Sequence, residues 1–413
     1  MRRLLQLKLK ILARLVLQKY QPQIIGITGS IGKTSAKDAI AWVLSYKFSV
    51  RASYKNYNNE IGLPLTILGL ESGGRSISAW LAVLARALKL LIFTDKNYPK
   101  FLILEMGVDR PGDMDYLTKI VKPNIGVVTA VSHSHLEFFG SLSKIQAEKQ
   151  KLVEQVDNNG LVVLNYDNEA TRAMAEASRA KVLSYGFDRG ADLVAQEWHG
   201  RNFKLSYQGS IVPVFMKQAV GRPAVYAVLA GAALGLHYGL NLLDIAQRLS
   251  EFKPPLGRLN LIPALKGATI IDDTYNSSPD SALAALEVLG EMPARRRWAV
   301  LGDMLEIGSY SESGHRQVGE KVSELKIDFL ISVGPQSRFS AQAALENGLD
   351  ENHVHTFDSP SEAADFLLGE IENEDLILIK GSQGMRMEKA VKAIMAQPDQ
   401  AKDLLVRQGA EWD

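Results

Sequence analysis

Residues 24–35 read IIGITGSIGKTS, and this stretch decides the fold. Its first five residues, IIGIT (24–28), form a short apolar run of β character with glycine directly after it. Ser35 to Phe48 is helical in character, so the glycines lie between a strand and a helix. A phosphate-binding loop requires this arrangement. Glycines let backbone N–H groups converge on phosphate oxygens, and the helix N-terminus adds its dipole. In such a loop Lys33 reaches the β/γ-phosphates and the Thr34 hydroxyl binds Mg²⁺. The usual spacing has another glycine five residues before Gly32, but position 27 is Ile, so the loop is a shorter TGSxGKTS form. The plain alternative is a glycine turn before a helix, and the strand context with Gly-Lys-Thr-Ser favours nucleotide. Thr28, Gly29, Ser30, Gly32, Lys33, Thr34 and Ser35 are the expected ATP contacts of this loop.

Outward from the loop, apolar runs alternate with helical stretches. FLILEMG (101–107), NIGVVTAV (124–131) and GLVVLN (160–165) read as buried strands. Continuous apolar strands between helices predict a mostly parallel α/β sheet covered on both faces. Residues 191–216 switch to shorter, alternating strands, expected as an antiparallel edge, and residues 225–240 return to helix. The pattern breaks at Pro254-Pro255-Leu256-Gly257-Arg258. A second series follows: TIIDD (269–273), WAVLGD (298–303), FLISVG (329–334), HVHTF (353–357) and LILIKG (376–381). The expected organisation is a basic amphipathic helix over 1–22, an ATP-binding central domain over 23–256, and a Rossmann-like α/β domain over 257–413.

Composition excludes several classes. The 413 residues carry 47 Lys plus Arg against 46 Asp plus Glu, a formal charge of +1, so no nucleic-acid partner is expected. With 46% hydrophobic and 23% charged residues the chain is ordinary globular material, not a disordered one. There is no cysteine, which removes disulfides, thiolate nucleophiles and Cys-bound zinc. The most apolar stretch, residues 77–93, contains Arg86 and Lys89 and is short for a bilayer span. The N-terminus keeps cations throughout and lacks a cleavage site, so cytoplasm is the default. Residues 3–18 are expected to pack as a helix on the first domain, and so is the helical stretch within 73–95. A membrane-surface or partner-binding patch made by both apolar-basic helices stays open as the alternative.

Further along, several segments carry chemistry: N56-Y-N-N-E-I-G-L-P-L-T66, E105-M-G, H135-L-E-F-F-G-S141, A147-E-K149, G257-R258, D272-D-T-Y-N-S-S-P-D-S281, V300-L-G-D-M-L-E-I-G308 with His315, and K380-G-S382. Together with the loop, and in this order, they resemble the Mur ligase family over about residues 23–395. The DDxYNxxP and LGDMxExG pieces point to its D-alanyl-D-alanine-adding branch. The resemblance implies an ATP-dependent ligase of cell-wall (peptidoglycan) biosynthesis, hence of cell shape and division. It would phosphorylate a carboxylate to an acyl phosphate that an amine then attacks. It implies Mg²⁺ or Mn²⁺ held by Thr34, Glu105, His135 and, if carbamylated, Lys149. Oxygen ligands suit the hard Mg²⁺ ion. Lys33, His135, Lys149 and Arg258 are implied as catalytic. Arg258 is implied at the ATP phosphates, and Asp273, Tyr275 and Asn276 near the nucleotide and the domain junction. Asn56, Asn58, Asn59, Asn276, Lys380 and Ser382 are the expected substrate contacts, with Gly257 as a hinge. Partners would be small-molecule carboxylate and amine substrates, and the protein a monomer.

Each residue taken singly has a bland reading. Glu105 could be a solvated strand-end acid, His133 and His135 loop histidines, the asparagines a turn cluster, and Lys149 one face of a Lys/Glu-rich helix. His133 has no counterpart in the resemblance. Asp272 and Asp273 close a strand, where two acids are expected to face solvent or a ligand. In the family a separate uridine-binding domain usually precedes the loop, and here the loop starts by residue 26, so little uridine recognition is expected. Pro223 and Ala227 depart from the family pattern near the adenine. Two other readings stay open: a catalytically weak nucleotide-binding scaffold, and a folate-polyglutamate-type ligase.

Overall fold

The computed structural model describes residues 2–53, 57–74, 76–132, 136–409 and 412. Helix α1 (Arg2–Tyr20) leads to β1 (Gln23–Thr28), and the glycine loop joins β1 to α2 (Lys33–Leu44). Next come β2 (Val50–Ala52), α3 (Gly62–Leu68), α4 (Ile77–Ile92) and β3 (Phe101–Glu105). They are followed by α5 (Asp113–Thr118), β4 (Ile125–Val128), α6 (Leu136–Phe139), α7 (Leu142–Glu154) and β5 (Leu161–Asn165). After α8 (Glu169–Ala173) the chain forms β6 (Lys181–Gly186), β7 (Leu193–His199), β8 (Asn202–Tyr207) and β9 (Ser210–Phe215), then α9 (Gly221–His237) and α10 (Leu242–Ser250).

These strands build one nine-stranded sheet in the order β2-β3-β1-β4-β5-β6-β7-β8-β9. Pairing is parallel from β2 to β7, and β7-β8-β9 is an antiparallel edge, as the alternating pattern predicts. The central strands β3, β4 and β5 are buried at every residue, because helices cover both faces. On one face, Ala36, Ile40 and Val43 of α2 pack with Val225, Val228 and Leu229 of α9. On the other, Leu9, Ala13 and Val16 of α1 share a core with α3, α4 and α5.

A second, six-stranded sheet has the order β10-β11-β15-β12-β13-β14. Its elements are β10 (Asn260–Pro263), β11 (Thr269–Asp273), α11 (Pro279–Glu291), β12 (Arg296–Gly302), α12 (Ser311–Glu324), β13 (Phe329–Val333) and α13 (Arg338–Glu346), then β14 (Val354–Phe357), α14 (Pro360–Glu370), β15 (Asp375–Lys380), α15 (Glu388–Ile394) and α16 (Ala401–Leu404). All its pairs are parallel except β10 with β11. The observed architecture is therefore mixed α/β, a large mostly parallel sheet followed by a second sheet. Three strands escape the sequence pattern: β2, β6 and β10. None carries the fully buried apolar run of the inner strands; β2 is half-exposed along its length and β6 starts on exposed Lys181.

In open parallel sheets, ligands gather beyond the carboxyl ends of the strands. Here β1 and β3 of the first sheet end at Thr28 and Glu105. In the second sheet β11 and β15 end at Asp273 and Lys380. The two sets of strand ends share one cleft.

Candidate active site

The loop after β1 is built tightly. Gly29 has φ +149°, and a Cβ there would sit 2.0 Å from Thr129 Oγ1, so no side chain fits. The loop is pinned to the neighbouring strand end, where Ser30 N donates to Ala130 O at 2.6 Å and Thr129 Oγ1 donates to Ile31 O at 2.5 Å. Lys33 folds back over the loop, with Nζ donating to Gly29 O at 2.8 Å and Ser30 O at 3.3 Å. Burial lowers the Lys33 pKa, with Glu105 and Asp109 opposing the shift and Arg258 adding to it.

Thr34 Oγ1 donates to Glu105 Oε2 at 3.1 Å. Glu105 is 4% exposed and has no ion pair within 4 Å among the described residues, so it is not a solvated strand-end acid. Buried carboxylates want a cation. A hard divalent ion beside the Thr34 hydroxyl fits that need. Among the described residues no three His, Asp or Glu side chains cluster as a ready-made metal cage. His135, like His133 and Asn56, lies outside the described residues.

Lys149 does not sit on a solvated helix face. It is 2% exposed on α7, and its Nζ donates to Gly29 O at 3.1 Å. Burial holds its pKa well below the usual lysine range, and the neighbouring Lys33 pushes it further down, while Asp109 and Glu148 oppose. The periodicity of a Lys/Glu-rich helix hid this position. Glu148 beside it is also buried and accepts from Met114 N at 2.8 Å.

The second sheet supplies the facing wall. One narrow cavity of about 70 Å³ is lined by Gly32, Thr34 and Ser35 on one side and by Arg258, Asp273 and Lys380 on the other. Lys380 is buried and forms a 2.5 Å ion pair with Asp273, and it also donates to Asn276 O at 2.9 Å. Arg258 stacks its guanidinium 4.2 Å from the Tyr275 ring centroid, and its Nε has no hydrogen-bond partner among the described residues. Gly257 holds φ +66°, and its carbonyl accepts from Tyr275 N at 3.1 Å, which ties the connection to the Asp272–Asn276 loop. Ser382 is buried and bridges Leu305 N and Ser277 O.

One expectation needs correction. Asp272 faces neither solvent nor the cleft. It is fully buried, accepting from Thr274 N and Oγ1, and burial pushes its pKa up to about 7. Asn59 does turn work, its Oδ1 accepting from Ile61 N and Gly62 N at the start of α3. Asn58 lies against Gly107, next to the end of β3.

A wider cavity of about 300 Å³ adjoins the narrow one, and both are lined by Ile31 and Gly32. Asn165, Tyr185, Arg222 and Tyr226 contribute from the first sheet and α9, and Glu287 and Glu291 from α11. Tyr226 donates to Asp167 Oδ2 at 2.7 Å, and Asp167 also accepts from Phe187 N and Asp188 N. Tyr185 Oη is buried with no hydrogen-bond partner among the described residues, an orphan that a ligand atom would satisfy. No motif in the chain marks these residues. They come from separate strands and helices, and only Pro223 and Ala227 nearby stood out in the sequence.

The comparisons with known proteins agree with this geometry. The Mur ligase middle domain is matched over residues 27–79 and 85–235, and the Mur ligase, glutamate ligase domain over 257–383. UDP-N-acetylmuramoyl-tripeptide–D-alanyl-D-alanine ligase from Bacillus subtilis is 31% identical over 393 residues, covering 94% of this chain and 79% of that protein. The Mycobacterium leprae protein of the same name is 33% identical over 398 residues, covering 88% and 71%. Among solved structures, MurF from Acinetobacter baumannii superposes with a TM-score of 0.78 at 26% identity, covering 94% of this chain and 79% of that one. MurF ligase from Thermotoga maritima in complex with ADP gives 0.76 at 26% identity, covering 93% and 82%. With the loop, the buried lysines and the facing wall in place, the chain belongs to the Mur ligase family.

Proposed function

We propose that this protein is an ATP-dependent carboxylate–amine ligase that adds D-alanyl-D-alanine, or a similar amine, to a muramoyl-peptide precursor of the cell wall. The observation that carries this reading is the narrow cavity where Gly32, Thr34 and Ser35 face Arg258, Asp273 and Lys380. Nucleotide-loop donors on one wall and cations on the other suit a phosphoryl group passing between nucleotide and acceptor. Support comes from relatives named as this ligase and from an ADP-bound neighbour of the same fold. They favour this reading over the folate-type alternative. Retention of Lys33 with the buried Glu105 and Lys149 argues against a mere scaffold. The domains are proposed as residues 23–256 and 257–413, with 1–22 as an added helix.

In this reading the loop amides and Lys33 hold the β/γ-phosphates, and Arg258 contacts them from the facing wall with a fork suited to phosphate. Tyr275 orients Arg258 by stacking, and Asn276 orients Lys380 through its carbonyl. The wider cavity takes the base and ribose, with the Tyr185 hydroxyl and Asn165 as polar contacts. Mg²⁺, held by Thr34 and Glu105 and by His135, would neutralise phosphate charge while the acyl phosphate forms. Lys149 is poised for carbamylation. Its low pKa supplies the neutral amine that adds to CO₂, giving a carbamate and releasing a proton. The carbamate would answer the Lys33 cation and add oxygen donors for the metal. Asn58, Asn276 and Ser382 are assigned to the acceptor side.

The test is release of ADP and phosphate by the full chain. It should require both a UDP-linked muramoyl tripeptide and D-alanyl-D-alanine, and excess chelator should stop it. Turnover that ignores both substrates, or none with any muramoyl peptide and amine, would sink the reading.

A further inference from the structure

We propose that α1 and α4 together form a docking surface for an anionic lipid bilayer. This goes beyond the ligase reading and does not depend on it. Both helices belong to the layer covering one face of the nine-stranded sheet, where Leu9, Ala13, Val16, Val83 and Ala87 share a core with β3. They are fastened at their C-terminal ends. Lys19 Nζ donates to the carbonyls of Leu90, Leu91 and Phe93 at 2.9, 3.0 and 2.8 Å, and Tyr20 Oη donates to Leu90 O at 3.0 Å. Their outward sides therefore form one surface, pointing away from the sheet.

That surface is apolar in a regular pattern. On α1, Leu7, Ile11 and Leu15 recur every four residues and are 53%, 49% and 43% exposed. On α4, Leu81, Leu88 and Ile92 are 62%, 49% and 72% exposed. Single exposed leucines are ordinary, but two adjoining stripes are not. The charge is one-sided. Neither helix contains Asp or Glu, and Lys8, Arg14, Arg86 and Lys89 are exposed among the apolar residues. Apolar stripes on helices whose only charges are cations, with long stems able to lift their charge to the headgroup level, are the composition of an interfacial helix. No described helix is long and apolar enough to cross a membrane, so the contact is with the surface.

Charge decides against a second copy of the chain as the occupant. A two-fold pairing of this face would set the cations of α1 and α4 against each other, with no acid on either helix to answer them. An anionic bilayer answers them and takes the apolar stripes at once.

The experiment is flotation of the full chain with phosphatidylcholine vesicles, with and without about one third phosphatidylglycerol. Binding to the anionic vesicles is expected, falling sharply in about 1 M salt, where the Debye length is only about 3 Å. Two variants separate the contributions: Ile11→Ser with Leu81→Ser and Ile92→Ser, and Lys8→Gln with Arg14→Gln, Arg86→Gln and Lys89→Gln. All these positions are exposed, so an unchanged melting curve should confirm that each variant folds. Each set should weaken vesicle binding about tenfold or more. Absence of vesicle binding would overturn the proposal, as would equal binding to neutral and anionic vesicles. So would a lipid-free dimer that the apolar variant dissolves, which would make a second copy the occupant.

Discussion

Lys33 and Lys149 donate to the same acceptor, the carbonyl oxygen of Gly29, at 2.8 and 3.1 Å. Two ammonium groups on one buried carbonyl repel each other, and burial penalises both charges. Lys149, the more deeply enclosed, gives way first. A carboxylate-like group in its place would turn the repulsion into attraction.

The first prediction follows from that pair. Lys149→Met should abolish ligase turnover yet, in CO₂-free buffer where the parent lysine is unmodified, raise the melting temperature by a few degrees at neutral pH. The sign is set by linkage. The folded-state pKa lies below the unfolded value, so the unfolded chain binds more protons between the two. This group therefore costs stability at neutral pH, and the cost fades as pH rises toward the unfolded pKa. Calorimetry from pH 7 to about 10 should show the gap between variant and parent closing. A gap that widens would contradict the assignment, as would full activity in the variant.

Lys33→Ala should lower ATP turnover by about a hundredfold or more, since it removes a fixed cation aimed at the phosphates. The fold should survive, because among the described residues the lysine bonds only to carbonyls of its own loop. Steady-state kinetics with a melting curve would check both halves.

Breaking the buried ion pair of β11 and β15 should cost far more stability. Lys380→Met leaves Asp273 uncompensated, and Asp273→Asn leaves Lys380 so, each at about 3 kcal/mol or more. The double variant Asp273→Leu with Lys380→Met should recover much of that loss while remaining inactive. Urea unfolding measures the cycle, and additive losses in the double variant would refute a direct coupling.

Asp272 predicts a pH dependence of opposite slope to that of Lys149. Its folded pKa is raised by burial to about 7, and its Oδ2 has no hydrogen-bond partner among the described residues, as suits a protonated carboxyl. Between about pH 4 and 7 the folded state holds the extra proton, so stability falls as pH rises through that window. Asp272→Asn keeps the acceptor for Thr274 and should remove about one proton's worth of slope, roughly 1.4 kcal/mol per pH unit. Denaturant titrations at several pH values would show whether parent and variant diverge toward pH 7.

How much of this was legible beforehand depends on how far apart in the chain the cooperating groups lie. The loop from Thr28 to Ser35 is contiguous, so its strand, glycines, lysine and helix stand in one line of sequence. The inner strands were legible for a related reason: burial on both faces leaves an unbroken apolar run, as at residues 101–104 and 376–379. Half-exposed β2 carries no such run. Tertiary structure alone decided that Lys149 leaves its helix surface for the interior, because α7 lies against the loop. It alone paired Lys380 with Asp273, 107 residues apart, through neighbouring parallel strands. It also turned Asp272 inward, since successive residues of a strand face opposite sides and only one of the two acids could reach the cleft. The wide cavity of Asn165, Tyr185 and Tyr226 is the extreme case. Its walls come from β5, β6, α9 and α11, and nothing in their local sequence records that folding brings them together.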